Sequence, residues 1–230
     1  MAKPYQPATL DEAYKMAEQA KPELDALGSF IEKELGVEFV SAPLKGRARA
    51  EEKLASKYQG DPSKLQDLAR GRILCDSLEQ IDAVRGILAE KAETVRHVDR
   101  MDKPNSRGYR DVKYVLAAEN GTPVELQVQL RCFAEADKQS HPHYEKIRSI
   151  IAMAGDRPLT QSEQAEIAVR EQATKYMFEE AARKYNKTTT GRKLQNVPEE
   201  PKQSLQSAIK EQADQNKLLT VAKLKQGKAR

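Results

Sequence analysis

Lys45, Arg49, Lys53 and Lys57 recur at every fourth position, the spacing that lines side chains along one face of a helix. Arg47 stands close by. Like charges so placed repel by roughly a few tenths of a kcal/mol per pair, and an anion lying over them would relieve that cost. A row of phosphates matches a row of cations, although a solvated face partly offset by Glu51 and Glu52 is the plainer alternative. Asp67-Leu68-Ala69-Arg70-Gly71-Arg72 then runs into the apolar Ile73-Leu74-Cys75. An acid at the mouth of a buried strand can hold Mg²⁺, which needs only about one or two protein carboxylates beside phosphate oxygens. The two arginines could meet those oxygens or a base, and an ordinary strand-entry ion pair would leave the same residues.

Glu125 and Gln127 lie on the polar side of an alternating run, with Val124, Leu126, Val128 and Leu130 on the other. A strand holds a side chain tightly, which suits a general base, and a half-exposed sheet face is the competing explanation. Gly108-Tyr109-Arg110 marks a loop-to-strand junction, where Tyr109 could stack on a nucleobase and Arg110 meet phosphate. An ordinary strand-opening Tyr is the alternative. His141-Pro142-His143 invites a metal, yet neither Cys75 nor Cys132 is spaced to complete a zinc set. Neither a Walker A loop nor a dinucleotide-binding glycine fingerprint is present, so a nucleotide here would be held by charge and stacking.

The elements that must position these residues follow from periodicity. Thr9-Leu10-Asp11-Glu12 predicts a capped helix start, and helical spacing continues to Leu35, with Pro22 dividing or kinking it. A short strand is expected over Val37 to Ser41 and a basic helix from about Lys45 to Tyr58. Ile73 to Cys75 forms a strand core, Ser77 to Lys91 a helix, and Thr94 to Val98, Tyr109 to Ala118 and Val124 to Arg131 further strands. Asn120-Gly121 supplies a hairpin turn. Helices follow over Phe133–Ala154, interrupted at Pro142, and Thr160–Tyr185. Beyond Asn186 a polar linker leads to a weakly amphipathic helix from about Ser204 to Leu224. The expected fold is α/β, with a mixed sheet of about five strands flanked by helices. Its parts are an N-terminal helical region (1–40), a core (41–155), a helix packing on that core (156–186), and a basic linker and tail (187–230).

The chain has 230 residues, 39% hydrophobic and 32% charged, with a net charge of +4. From Tyr185 onward ten Lys/Arg face four Asp/Glu, so the tail carries +6 and residues 1–184 carry −2. A basic tail can hold tRNA or ribosome, or simply be solvated. Apolar runs are too short to span a membrane, no secretory h-region follows Met1, and the two cysteines read as buried free thiols. A cytosol is therefore the expected setting, its own or that of a cell it enters. Composition leaves the oligomeric state open.

In this order, the pieces resemble the RelA/SpoT synthetase family. Lys45 and Lys53 match its spaced lysines. Asp67 and Arg72 match Asp-x-x-Gly-x-Arg, with Arg70 at the Gly. Asp99, Pro104 and Gly108-Tyr109-Arg110 fall in register with its acceptor segment. Glu125-Leu126-Gln127 is its Glu-x-Gln strand, and Ala134, Glu135, His141 and Tyr144 fit its next helix. The resemblance covers Leu44 to Tyr144 and implies a nucleotidyltransferase-like fold that moves pyrophosphate from ATP to a ribose 3′-hydroxyl. By resemblance, Asp67 and Glu125 bind Mg²⁺, and Glu125 also serves as general base. Lys45, Arg49, Lys53 and Arg72 would bind ATP, and Tyr109, Arg110, Gln127 and His141 the acceptor.

Asn105, Arg107, Asp111, Val112 and Lys113 depart from the family pattern around that acceptor. Acceptor identity therefore stays open among GDP or GTP, an adenine nucleotide and the tRNA 3′ end. The lack of a His-Asp hydrolase dyad before Leu44 suggests a stand-alone synthetase, as in small alarmone synthetases and toxins. A binder of RNA or the ribosome that kept the fold without catalysis is the alternative from another class, as is transfer of a whole nucleotide among enzymes.

Overall fold

A computed structural model describes residues 5–199; the tail helix expected from about Ser204 lies outside them. Thr9 opens α1 (Leu10–Leu35) by accepting from the Glu12 amide, and Gly36 closes it at φ +64°. The helix does not divide at Pro22. One proline forfeits a single backbone bond, while Ala13, Ala17, Ala20, Leu24 and Ile31 bury a continuous stripe in the core. Tertiary burial of such a stripe decides the outcome.

After β1 (Glu38–Ser41) comes α2 (Arg47–Lys57), then β2 (Ala69–Cys75), α3 (Leu78–Lys91), β3 (Glu93–Asp99), β4 (Val112–Ala117) and β5 (Pro123–Leu130). The five strands form one mixed sheet in the order β1-β2-β5-β4-β3. Only β2 and β5 pair in parallel; every other neighbour is antiparallel. Alternation gives the two faces different work. Ile73, Val124, Leu126, Val128, Val112 and Leu116 are buried on one face, against which α1 and α3 pack. Arg70, Arg72, Glu125, Gln127 and Lys113 stand on the other, half-buried and in register: Arg70 opposite Glu125, and Gln127 flanked by Arg72 and Lys113.

Phe39 of β1 fixes how closely α1 approaches the sheet. Its ring fills the space left by two missing side chains, Gly28 on α1 and Gly71 on β2, where an added Cβ at Gly71 would stand 2.7 Å from a ring carbon. Two long helices follow, α4 (Arg131–Ala154) and α5 (Gln161–Thr188), which pack on each other. Contrary to the sequence expectation, α4 runs unbroken through Pro142. Buried Phe133, Ala136, Ile147 and Ile150 anchor it on both sides of the proline. Thr160 and Glu163 form a reciprocal capping box at the start of α5.

Candidate functional site

Two lysines converge on one carboxylate. Lys45 Nζ lies 3.1 Å and Lys53 Nζ 2.8 Å from the same oxygen of Asp67, whose side chain is only 14% exposed. Burial alone would raise the Asp67 carboxyl pKa; the hydrogen bonds and charges of Lys53 and Lys45 outweigh it and hold the group below its ordinary value. The other oxygen, Oδ1, is buried without a hydrogen-bond partner.

Lys45 does not belong to the helical stripe. It precedes Gly46, which caps α2, and is tied by its amide to the Leu68 carbonyl at 2.9 Å and by its carbonyl to the Tyr14 hydroxyl. Arg49, Lys53 and Lys57 continue along α2 and line an open groove of about 740 Å³ that also includes Asp67 and Arg70. Its opposite wall is α4, contributing His141, Glu145 and Arg148. His141 thus stands on the rim of the basic groove, exposed and 3.7 Å from Glu145.

On the adjoining sheet face, Glu125 is 3.0 Å from Lys113. Arg72 donates to Gln127 at 3.3 Å and meets Asp137 of α4 at 3.4 Å. These contacts extend the polar face from β2 across β5 to β4. Tyr109 sits half-buried at its end. The ring meets Phe178 of α5 edge-on at 5.4 Å, and the hydroxyl donates to buried Asp111 at 3.2 Å. Burial first, then the Asp111 and Asp137 carboxylates, raises the Tyr109 pKa, so the phenol stays protonated.

The turn before it is built by Asn105, whose side-chain oxygen accepts from the amides of Arg107 and Tyr109, and by Gly108 at φ +76°. A Cβ at Gly108 would press on Phe178 at 3.2 Å. Arg110, expected at a phosphate, is instead buried and donates to the backbone carbonyls of Met101 and Asn196, the latter at 2.8 Å. A guanidinium spent on carbonyls of two segments knots the loop to the chain after α5, and the strand expected from Tyr109 accordingly begins at Val112.

Sequence reasoning missed three residues of this region. Lys113 was legible from strand parity, since it shares the face of Glu125. Asp137 and Arg148 lie on α4, and only the approach of α4 to the sheet and to α2 reveals them.

Among the described residues no group of three or more His, Cys, Asp or Glu gathers to hold a metal. Two acids nevertheless suit Mg²⁺ bound largely through phosphate, and the unpartnered Oδ1 of Asp67 is an oxygen free to take it.

Residues 44–146 match the model of the region found in RelA / SpoT proteins. That match covers somewhat less than half of the chain. A relative, the (p)ppApp synthetase toxin Tas1 of Pseudomonas aeruginosa (strain UCBPP-PA14), is 33% identical over 118 residues, 51% of this chain and 26% of that protein. The chain thus spans about a quarter of that relative's length. Two solved structures share the fold around the RelA/SpoT region. The Type VI effector Tas1 in complex with its immunity protein gives a TM-score of 0.55 at 24% identity, over 76% of this chain and 96% of that one. Small alarmone synthetase 1 from Bacillus subtilis, bound to its product pppGpp, gives 0.51 at 22% identity, over 76% and 94%. At these identities the likeness speaks to the fold, a five-stranded mixed sheet with flanking helices.

Proposed function

We propose that this chain transfers pyrophosphate from ATP to the 3′-hydroxyl of a nucleotide, with Mg²⁺ as cofactor. The observation that carries this is the shared Asp67 oxygen between Lys45 and Lys53, beside a strand face that presents Glu125. Lys45, Lys53 and Arg49 are suited to grip a triphosphate in the groove, and Arg72 to flank the donor base. Asp67 and Glu125 would hold the metal, which when bound neutralises charge on the phosphates and orients them. Glu125 accepts the proton of the 3′-hydroxyl, while Lys113 at 3.0 Å fixes its carboxylate on the strand face. The ribose oxygen forms a bond to the β-phosphorus of ATP, the bond from that phosphorus to the α–β bridging oxygen breaks, and the electron pair departs on AMP. Rate acceleration would come from alignment and from fixed positive charge around the phosphates.

Adenine nucleotides are the first acceptors to offer, because the relative at 33% identity is named a (p)ppApp synthetase. Tyr109 provides the aromatic face for the base, with Gln127 beside it; His141, on the groove rim, is better placed for phosphate than for the base. The setting would be a cytosol, that of a target cell if the protein is delivered, a reading supported by a relative named a toxin and a Type VI effector. No helix among the described residues is long and apolar enough to cross a membrane.

The test is to incubate the protein with Mg²⁺ and γ-labelled ATP, offering AMP, ADP, GDP, GTP or bulk tRNA separately. Label on a nucleotide, with equimolar AMP, is the expected result. Label on tRNA would replace the nucleotide acceptor by the tRNA 3′ end, pyrophosphate release would indicate whole-nucleotide transfer, and no turnover with ATP bound would favour a non-catalytic binder.

A further inference from the structure

α4 brings to the groove a cation that the stripe on α2 does not account for. Arg148 bonds both carboxylate oxygens of Glu52 on α2 and lies 3.7 Å from Glu145 on its own helix. One guanidinium nitrogen of Arg49 donates to both oxygens of Glu145 at 2.9 Å each, and Arg49 meets Glu52 at 3.4 Å. Two guanidiniums and two carboxylates therefore close a ring across α2 and α4, and all four residues line the groove that contains Lys53 and Asp67.

This ring has the properties of an exchangeable set. Its carboxylates are well exposed, Glu52 at 53% and Glu145 at 40%, while Arg148 is the most covered member at 26%. Exposed ion pairs contribute little net stability, so surrendering them costs little. A guanidinium that pairs with a carboxylate can pair equally with a phosphate. The Tyr144 ring lies beside Arg148, 5.7 Å from its guanidinium carbon, and would keep the group directed after its carboxylate leaves.

We propose that Arg148 and Arg49 form a two-helix clamp on the donor polyphosphate, with Glu52 and Glu145 as counter-charges that give way to it. The proposal rests on the groove being the ATP site and adds to it a binding residue from α4. A merely structural ring behaves differently: Arg148→Ala and Glu145→Gln would each open it and weaken ATP binding alike. In the clamp the two act in opposite directions, because one removes a phosphate ligand and the other removes its competitor.

The experiment is titration of a non-hydrolysable ATP analogue with Mg²⁺ into the wild-type chain and its Arg148→Ala, Arg148→Lys, Glu145→Gln and Glu52→Gln variants, with Lys53→Ala as reference. Arg148→Ala is expected to raise Kd roughly tenfold, and Arg148→Lys less. Either glutamine variant is expected to lower Kd by about two- to fivefold, which also tests the clamp should Arg148→Ala fail to fold. Both glutamine variants weakening binding, or Arg148→Ala leaving Kd unchanged while Lys53→Ala raises it, would overturn the clamp alone. Absence of wild-type binding, or indifference to Lys53→Ala, would remove the donor site itself and the clamp with it.

Discussion

Arg72 and Gln127 stand opposite each other across the parallel β2–β5 ladder, and the Arg72 guanidinium donates to the Gln127 amide oxygen at 3.3 Å. Residues assigned by resemblance to different substrates are thereby joined. Donor and acceptor would meet over one pair of strands, with Glu125 two residues before Gln127 on the same face.

Glu125→Gln keeps the size of the side chain and removes the base. Transfer should fall by at least about a hundredfold with the fold retained, read by AMP release and circular dichroism. Retained transfer would end the role given to Glu125.

Tyr109→Ala should raise the acceptor KM by roughly tenfold or more, equivalent to about 1–3 kcal/mol of lost stacking, and leave the KM for ATP nearly unaltered. An equal rise in both constants would count against stacking on the acceptor. Tyr109→Phe keeps the edge contact with Phe178 and should behave close to wild type.

Asp67 ties stability to acid pH. Its folded pKa is depressed, so its contribution is fully present above the unfolded value of about 3.9 and is lost as pH falls through the folded value. Melting temperature should therefore drop on acidification below about pH 4, less steeply in Asp67→Asn. A pH profile identical in the two proteins would contradict the assignment.

Gly28→Ala would ordinarily stabilise a helix interior by up to about 1 kcal/mol. Here the Cβ meets the Phe39 ring, and overpacking should win, costing about 1–3 kcal/mol. Denaturant unfolding checks the sign, and Phe39→Leu in the same chain should recover part of the loss if the ring is the obstacle.

Arg110→Ala should destabilise the protein by about 2–3 kcal/mol, since it strands two carbonyls and a buried space. Once folded at low temperature, the variant should bind the ATP analogue as wild type does. A selective loss of ATP binding would restore Arg110 to the phosphate site.

Much of the sheet was legible because β5 has one wholly apolar side: alternation from Val124 to Leu130 tells which residues face the core and which face the site. The capped helices were legible for similar local reasons, as Thr9 and Thr160 show. Pro22 and Pro142 misled because a local penalty was weighed without the burial that offsets it. Arg110 misled because a loop arginine carries no sign of which carbonyls it will meet. The second wall of the groove was beyond reach for a different reason. Arg49 and Glu145 are separated by 96 positions, and nothing in either helix's own periodicity indicates that they will touch.

The parallel pairing of β2 with β5 also bears on how the protein acquires its site. Hairpin neighbours such as β4 and β5 close a short loop, whereas Arg72 and Gln127 are 55 positions apart and must wait for the intervening α3, β3 and β4. Loop-closure entropy makes such a ladder a late event. The nucleotide site should therefore be an end-point marker of folding: during refolding, analogue binding should lag the return of helical circular dichroism. Partly folded chains would then be catalytically silent, and simultaneous recovery of the two signals would show that the central ladder forms early.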